Sequence, residues 1–397
     1  MKPAIKVRNL DVVFGNHLND SFKLIDQGIT RQQLIEKNGD VIAVHNASLD
    51  ISRGEICVLM GLSGSGKSSL LRTFNGLNPI SRGEIELSDG VNSIALSQCN
   101  EKDWQGLRSR RISMVFQKFA LMPWLTVLEN VAFGLEMQGV PEKERHQRAM
   151  AKLELVGLAN WSKQYPHELS GGMQQRVGLA RAFTMDSDIL LMDEPFSALD
   201  PLIRTQLQDE LIELQQQLNK TIIFVSHDLD EALKIGSKIA IMESGKIIQY
   251  DKPENIVLKP ENSYVSEFVA HTNPLNVLCG HSLMKPLNAL TSCSQGLILD
   301  AATETCMQLQ SDHQLISVTR QGEHLPLCYL KEKASAFEFS PNQIVVAPPE
   351  ISMREALDIS YHTGQPLLLG TPNKILGMLS GHEFYHALLG KHFQTAH

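Results

Sequence analysis

The chain has 397 residues, of which 43% are hydrophobic and 20% charged, and its formal net charge is −8. This length exceeds what one ordinary hydrophobic core accommodates, so we expect two or three domains. The negative charge argues against non-specific nucleic-acid binding, and no apolar run approaches the ~18 residues of a membrane span.

The first predicted elements are two strands with a helical segment between them. Residues 11–14 and 41–51 have the composition of strands, and residues 16–40 have a helical pattern. Within the helical segment, Thr30 and Gln33 form a capping box, which predicts the start of a helix. We therefore expect a helical insertion at 16–40.

A glycine-rich loop follows at residues 61–68 and fits G-x-x-x-x-G-K-[ST], the pattern of loops that hold nucleoside triphosphates. An apolar run at 56–60 predicts the buried strand before it, and residues 69–75 predict the helix after it. Lys67 would reach the β- and γ-phosphates, and the Ser68 hydroxyl would bind Mg²⁺. A chance match to a glycine-rich turn is the alternative. The nucleotide-binding residues predicted here are Gly61, Ser63, Gly64, Ser65, Gly66, Lys67, Ser68 and Ser69.

Later apolar runs predict buried strands that end in polar side chains. The runs are 112–116, 189–192 and 221–225, followed by Gln117, by Asp193 with Glu194, and by Ser226 with His227. In an open α/β sheet these ends share one edge, where a ligand binds. Residues 121–184 are mainly helical, so we predict an α/β fold with an inserted helical subdomain.

Asp193 and Glu194 supply two carboxylates with separable roles. Asp193 suits Mg²⁺ ligation, and Glu194 suits polarising the attacking water. Taken alone, adjacent acids at a strand end also fit a surface turn. A lone histidine such as His227 more often has a structural role.

A second anion-binding pattern occurs at residues 169–176, LSGGMQQR. Its Ser-Gly-Gly opens a predicted helix and offers free N–H groups. Two such helix starts are hard to bring to one nucleotide within a single subunit. A head-to-tail dimer solves this, with the Ser-Gly-Gly of each subunit facing the γ-phosphate of the other.

In this order, the motifs resemble those of the ATP-binding subunits of ABC importers. The matching segments are Walker A (61–68), the Q-loop residue Gln117, the signature (169–176), Walker B (189–194), the D-loop (197–200) and the switch residue His227. They cover about residues 1–270, which we predict to be the ABC ATP-binding domain. The resemblance implies a homodimer that hydrolyses ATP, with Glu194 as catalytic base and His227 as γ-phosphate sensor.

The resemblance also implies roles for residues that carry little signal alone. Gln117 would act in catalysis and bind Mg²⁺ together with Ser68 and Asp193. Phe14 would stack on adenine, although the 16–40 insertion separates it from the strand that follows. The residues implied to bind ATP from the signature and the D-loop are Ser170, Gly171, Gly172, Gln174 and Asp200.

Several blocks look like the importers of glycine betaine and choline, namely the 16–40 insertion, GLSGSGKS at 61–68 and FQKFALMP at 116–123. The blocks at 57–60, 200–204 and 268–278 resemble the choline branch most. The resemblance implies import of a quaternary ammonium compound with a transmembrane permease and a periplasmic or surface solute-binding protein. Gln117 and the residues after it would form the groove for a coupling helix of the permease.

We expect the chain at the cytoplasmic face of the membrane. The N-terminus lacks the apolar region of a signal peptide, so any membrane connection runs through another protein. The six cysteines are dispersed without a C-x-x-C pair, which is typical of reduced thiols.

Residues 271–397 lack nucleotide motifs and are predicted to form a second domain. A helix opening at Ser352, strands at 365–369 and 375–379, and a helix opening at Ser380 resemble half of a CBS module. The segment 276–340 would supply the other half, with visible strands and weak helices. We predict a smaller α+β CBS-like domain with a degenerate first repeat and a regulatory role by analogy.

His382 to His386 fit H-E-x-x-H, a zinc-protease motif. Against this function, Leu389 stands where the longer motif needs a glycine, and Glu383 is already the third residue of a capping box. Zinc binding is thus a minor alternative. Two other classes stay open: a soluble ABC-type ATPase without transport partners, and a sensor in which the second domain dominates.

Overall fold

The computed structural model describes residues 3–116, 120–197, 199–270, 272–294, 296–310, 312–330 and 339–388. The chain divides into two units, Met1–Ile256 and Val257–His397. Within the described ranges, no helix combines the length and the apolar composition needed to cross a bilayer.

Two sheets organise the first unit. Its strands are β1 (Ile5–Phe14), β2 (Val41–Ile51), β3 (Ile56–Met60), β4 (Arg82–Ser88), β5 (Ser93–Ala95), β6 (Ile112–Val115), β7 (Ile189–Asp193), β8 (Thr221–Val225), β9 (Lys238–Glu243) and β10 (Lys246–Asp251). The larger sheet has the order β10-β9-β3-β8-β7-β6 and is parallel except for β10. The smaller sheet, β2-β1-β4-β5, is antiparallel.

One apolar core joins the two sheets. Val7 and Ile51 from the smaller sheet and Leu59 and Val225 from the larger one belong to it, and all are fully buried. β3, β7 and β8 are buried along their whole length, which explains why each reads as an unbroken apolar run. Because these strands are parallel, their carboxyl ends meet at one edge.

The helices of the first unit are interspersed with these strands along the chain. They are α1 (Leu18–Asp26), α2 (Arg31–Asn38), α3 (Lys67–Thr73), α4 (Glu101–Arg110), α5 (Val127–Met137), α6 (Glu142–Leu155), α7 (Gly171–Thr184), α8 (Pro201–Leu218) and α9 (Leu229–Ile235), while α10 (Pro253–Leu258) spans the boundary. Helices α5, α6 and α7 form the helical insert around the fully buried Val131, Leu153 and Val177.

Helices α1 and α2 form the insertion between β1 and β2. The predicted capping box is confirmed, since Thr30 accepts from the Gln33 backbone and Gln33 from the Thr30 backbone. The fully buried Leu34 of α2 belongs to a small apolar cluster with Ile42 of β2. The insertion is therefore packed on the smaller sheet.

The second unit contains two five-stranded sheets. Its strands are β11 (Lys285–Pro286), β12 (Ser292–Cys293), β13 (Gly296–Asp300), β14 (Thr305–Leu309), β15 (Leu315–Arg320), β16 (Glu323–His324), β17 (Leu327–Tyr329), β18 (Ile344–Ala347), β19 (Leu367–Thr371) and β20 (Lys374–Leu379). Its helices after α10 are α11 (Ser263–Val269), α12 (Gly280–Leu283), α13 (Met353–Thr363) and α14 (Gly381–Leu388). The sheets have the orders β11-β20-β19-β18-β17 and β12-β13-β14-β15-β16.

The second half of this unit contains the predicted helix–strand–strand–helix order in α13, β19, β20 and α14. Ser352 caps α13 by accepting from the Glu355 backbone at 3.1 Å, and Gly364 ends it at φ +66°. The segment from β12 to β16 is an antiparallel meander. The sequence predicts strands at 296–299 and 315–318 within it, but not β12, β14 or β16. The identification of a degenerate first CBS repeat stays a prediction.

Candidate functional site

The phosphate loop, residues 61–66, joins the central strand β3 to α3. Gly61 has φ +142° and Gly66 has φ +103°, a backbone region that side chains disfavour. A Cβ atom would lie 2.1 Å from the Met242 carbonyl oxygen at the first glycine and 2.1 Å from the Ala43 carbonyl oxygen at the second. Only glycine lets the loop approach β9 and β2 so closely.

Lys67 is folded back onto the loop. Its Nζ donates to the carbonyl oxygens of Gly61, at 2.7 Å, and Leu62, at 3.0 Å. Burial lowers the pKa of this ammonium group, and the charges of Glu194 and Asp193 act in the opposite direction. The cation is thus fixed beside two carboxylates.

Ser68 and Asp193, predicted as Mg²⁺ ligands, meet directly. The Ser68 hydroxyl donates to Asp193 Oδ1 at 2.7 Å, and Arg72 Nη2 donates to Oδ2 at 3.0 Å. The Asp193 residue is 3% exposed. A hydroxyl beside a buried carboxylate is a hard oxygen donor set, so these side chains fit Mg²⁺ at the edge of a phosphate site.

Glu194 lies one residue further, at the same edge of the sheet. Its backbone has φ +47°, an uncommon conformation for a residue with a side chain. The Glu194 backbone N–H donates to the Val225 carbonyl oxygen at 3.2 Å, which ties it to β8. His227 Nδ1 lies 3.3 Å from Glu194 Oε2, so two of the three predicted catalytic side chains are in contact.

A cavity of about 430 Å³ joins these groups. It is lined by Arg31, Ala43, Ser63, Gly64, Gly66, Lys67, Ser68, Ser69, Glu194 and His227. Ser65 is buried within the loop, with 4% of its surface exposed. Arg31 and Ala43 were missed by sequence reasoning, because nothing in the sequence places a residue of the insertion or of β2 beside the loop.

The signature residues are not among the described residues that line this cavity. Ser170 caps α7 by accepting from the Met173 backbone N–H at 3.4 Å, and Gly171 and Gly172 form the first turn. Gln174 Nε2 donates to carbonyl oxygens in the preceding loop, at 2.9 and 3.2 Å. These residues therefore present a separate helix N-terminus on the helical insert.

Asp200 also acts as a helix cap. Its Oδ1 accepts from the backbone N–H of Ile203 at 3.1 Å, at the start of α8. Its neighbour in the D-loop, Ala198, lies outside the described residues.

Phe14 ends β1 and is 39% exposed. In the structure, Phe14 pairs with Val41 and Val13 with Ile42, so the insertion does not separate Phe14 from β2 in space. Stacking of Phe14 on adenine stays a prediction. The aromatic ring is thus carried next to the strand that supplies Ala43 to the cavity.

Gln117, predicted for catalysis and Mg²⁺ binding, lies outside the described residues together with Lys118 and Phe119. A second cavity, of about 510 Å³, is lined by Phe116 and Ala120 among other described residues. Its apolar lining includes Met114, Phe116, Met122, Phe133, Met137 and Met185. Arg181 also lines it, and burial lowers the pKa of its guanidinium group.

The zinc-protease motif in the second unit has a structural use. Glu383 Oε2 accepts from the Ser380 backbone N–H at 2.9 Å and from its hydroxyl at 2.5 Å, at the start of α14. The carboxylate is therefore engaged as the predicted helix cap, and zinc chemistry at this motif is not supported.

Comparison with known proteins places these features in a family context. The family model described as "ABC transporter" matches residues 44–197. The glycine betaine/proline betaine transport system ATP-binding protein ProV of Escherichia coli K12 is 50% identical to this chain over 268 residues. The aligned residues span 68% of this chain and 66% of ProV, so this chain matches just under two thirds of the length of ProV.

Two relatives align over nearly the whole chain. The glycine betaine transport ATP-binding protein OpuAA of Bacillus subtilis is 38% identical, covering 98% of this chain and 96% of the relative. The glycine betaine/carnitine transport ATP-binding protein GbuA of Listeria monocytogenes is also 38% identical, covering 97% and 98%. The dimeric bacterial ABC transporter cassette MJ0796 has a TM-score of 0.53 and 29% identity, covering 63% of this chain and 98% of that structure.

Proposed function

The chain belongs to the ATP-binding subunits of ABC transporters for glycine betaine and related solutes, and from this premise we propose that it hydrolyses ATP to drive import of a quaternary ammonium compound. The observation that carries the proposal is the meeting of Lys67, Ser68, Glu194 and His227 around one cavity, with Asp193 hydrogen-bonded to Ser68. Cation, hydroxyl and carboxylates are the groups that phosphoryl transfer to water requires.

Each side chain has a distinct role in this reaction. The loop N–H groups and Lys67 bind the phosphates, and Ser68 and Asp193 hold the metal ion. Mg²⁺, when bound, neutralises charge that develops on the transferred phosphoryl group. Glu194 accepts the proton of the attacking water, and His227, 3.3 Å away, orients the Glu194 carboxylate and contacts the γ-phosphate.

We propose that the active form is a head-to-tail homodimer. The helix N-terminus at Ser170, Gly171 and Gly172 offers free N–H groups, yet these residues are not among those described as lining the cavity of their own chain. A second subunit would supply them to the γ-phosphate. The dimeric cassette to which this chain is similar supports a dimeric active form.

The apolar cavity beside Phe116 fits a transmembrane permease partner. Four methionines and two phenylalanines are among its described lining residues, and methionine adapts to irregular apolar surfaces. A short amphipathic helix of the permease would place its apolar face there. This contact would hold the chain at the cytoplasmic face of the membrane, with a solute-binding protein on the other side.

The solute class follows from the named relatives. Their names mention glycine betaine, proline betaine and carnitine, all of which contain a quaternary ammonium group. The choline branch that the sequence blocks suggest stays a prediction. A regulatory role for the second unit is likewise proposed from its position after the ATPase.

The test is transport by the reconstituted complex of this chain with its permease and solute-binding protein. With ATP inside vesicles, we expect uptake of labelled glycine betaine, choline or carnitine, abolished by Lys67→Ala because the phosphates lose their buried cation. Uptake of one solute identifies the cargo. ATP hydrolysis without uptake of any of the three would contradict the solute class and leave the ATPase activity standing.

A further inference from the structure

Arg31 brings a second cation to the phosphate cavity. It is the first residue of α2, thirty residues before the phosphate loop, and it lines the cavity together with Ser63, Gly64 and Lys67. Its Nη1 donates to the Gly64 carbonyl oxygen at 2.5 Å. The insertion therefore contacts the loop itself, through a guanidinium group.

The start of α2 is anchored on both sides of Arg31. The reciprocal capping box of Thr30 and Gln33 fixes the first turn, with distances of 2.9 and 3.3 Å between backbone nitrogen and side-chain oxygen. One turn later, the fully buried Leu34 packs in the cluster that includes Ile42 of β2. A side chain on such a fixed element is positioned more precisely than one on a loop.

Asp40 closes the insertion at its far end. Its carboxylate accepts from the Asn16 and His17 backbone N–H groups, both at 3.1 Å, and from the Ser21 hydroxyl at 2.6 Å. The first and last residues of the insertion are thereby tied to each other, where β1 ends and β2 begins. The position of Arg31 is a consequence of the fold of the insertion.

The chemistry of the guanidinium group suits a phosphate ligand. Arginine has five N–H donors in a planar fork that matches the geometry of phosphate oxygens. The Gly64 carbonyl uses one donor. The others are available to phosphate oxygens, for which bidentate arginine contacts are favoured.

We propose that Arg31 is a phosphate-binding residue of the nucleotide site, supplied by the insertion in addition to Lys67. This inference rests on the proposed function, because it requires ATP at the phosphate loop. Hydrogen bonds to charged groups typically contribute enough that Arg31→Ala weakens ATP binding by about 10- to 100-fold.

The test is equilibrium titration of the full chain with ATP and ADP at two salt concentrations. Lys37→Ala is the matched control, since it removes an exposed cation from the same helix. We expect Arg31→Ala to weaken binding and to reduce its salt dependence, and we expect the control to bind like the wild type. A phosphate contact also predicts that Arg31→Lys retains more affinity than Arg31→Gln.

The glutamine variant separates phosphate binding from a purely structural role. Glutamine keeps an N–H donor for the Gly64 carbonyl but has no charge, so restored affinity in Arg31→Gln would show that Arg31 only shapes the loop. Affinity of Arg31→Ala equal to that of the Lys37→Ala control would also overturn the proposal. The wild type and Lys67→Ala serve as references for the ATP site itself. If the wild type binds ATP and Lys67→Ala does not, either of these two results rejects only the role of Arg31 and leaves the proposed ATP site unaffected.

Discussion

Glu194, the proposed catalytic base, has an uncommon backbone conformation. Its φ of +47° is held by the hydrogen bond to Val225 and by the Ser197 hydroxyl, which donates to the Glu194 carbonyl oxygen at 3.0 Å. A disfavoured backbone conformation persists only where the surroundings over-determine it. Here it directs a carboxylate toward His227 at the mouth of the phosphate cavity.

We expect Glu194→Gln to lower the rate of ATP hydrolysis by ~10²–10⁴-fold while ATP binding is retained. The amide has the size of the carboxylate but cannot accept the proton of the attacking water. Single-turnover hydrolysis and nucleotide titration measure the two effects separately. Glu213→Gln, on the exposed face of α8, is the matched control. Equal hydrolysis rates in the two variants would show that Glu194 is not the base.

At the scale of single residues, the phosphate loop could be predicted because its chemistry is local. Lys67 and Ser68 follow from a pattern of eight consecutive residues, and Asp193 follows from the end of an apolar run. Arg31 could not be predicted, since its contact with Gly64 depends on how α2 packs against β2. A tertiary contact of this kind leaves no spacing pattern in the chain.

Helix α9 carries a buried acid, Glu231. Glu231, in the first turn of α9, accepts hydrogen bonds from the Ser226 hydroxyl and from Gln208 Nε2, the latter at 3.1 Å. Burial raises the pKa of the Glu231 carboxyl above its ordinary value of 4.5, although both hydrogen bonds act in the opposite direction. The ionised form therefore destabilises the junction of β8, α8 and α9.

We expect Glu231→Gln to make the stability of the folded protein less dependent on pH. A carboxyl with a raised pKa binds its proton more tightly when folded, so its contribution to stability is present below pH 4.5 and is lost as pH rises through the folded-state pKa. Glutamine resembles the protonated form at every pH. The measurement is the unfolding temperature of variant and wild type from acid to neutral pH, with the variant gaining relative stability as pH rises. A difference independent of pH would contradict this.

At the scale of elements, helices and strands could be predicted where the apolar pattern was strong and the helix-capping residues were clear. The capping residues of α2 and α13 identified both helix starts, and the apolar runs identified β3, β7 and β8. β14 was missed because Thr305–Leu309 is short and contains polar residues, so it becomes a strand through its pairing with β13 and β15. Pairing partners distant in sequence decide such strands.

At the scale of the whole molecule, the described nucleotide cavity is built from the first unit alone. Its lining runs from Arg31 to His227, and the second unit begins at Val257. We therefore expect a chain truncated after residue 270 to bind ATP with the affinity of the full chain. Nucleotide titration of both chains measures this, and Lys67→Ala in the truncated chain is the control.

The same truncation tests the role of the second unit. If residues 271–397 regulate transport, the truncated subunit in its complex retains ATP hydrolysis and loses any response of uptake to external osmolarity that the full chain shows. An unchanged osmotic response would exclude the sensor alternative. Loss of ATP binding itself would show that the second unit supports the fold of the first.

Because Phe14 pairs with Val41, the insertion can be removed or transferred without disturbing the strands on either side of it. Its two ends leave and enter the sheet opposite each other, so a short hairpin turn spans the same gap without moving either strand. Such a segment can be inserted into a cassette, or deleted from it, as one continuous stretch of sequence. Grafting residues 15–40 onto a cassette that lacks them would transfer Arg31 with its supporting helix, and a family can acquire a new nucleotide contact in this way in a single genetic event.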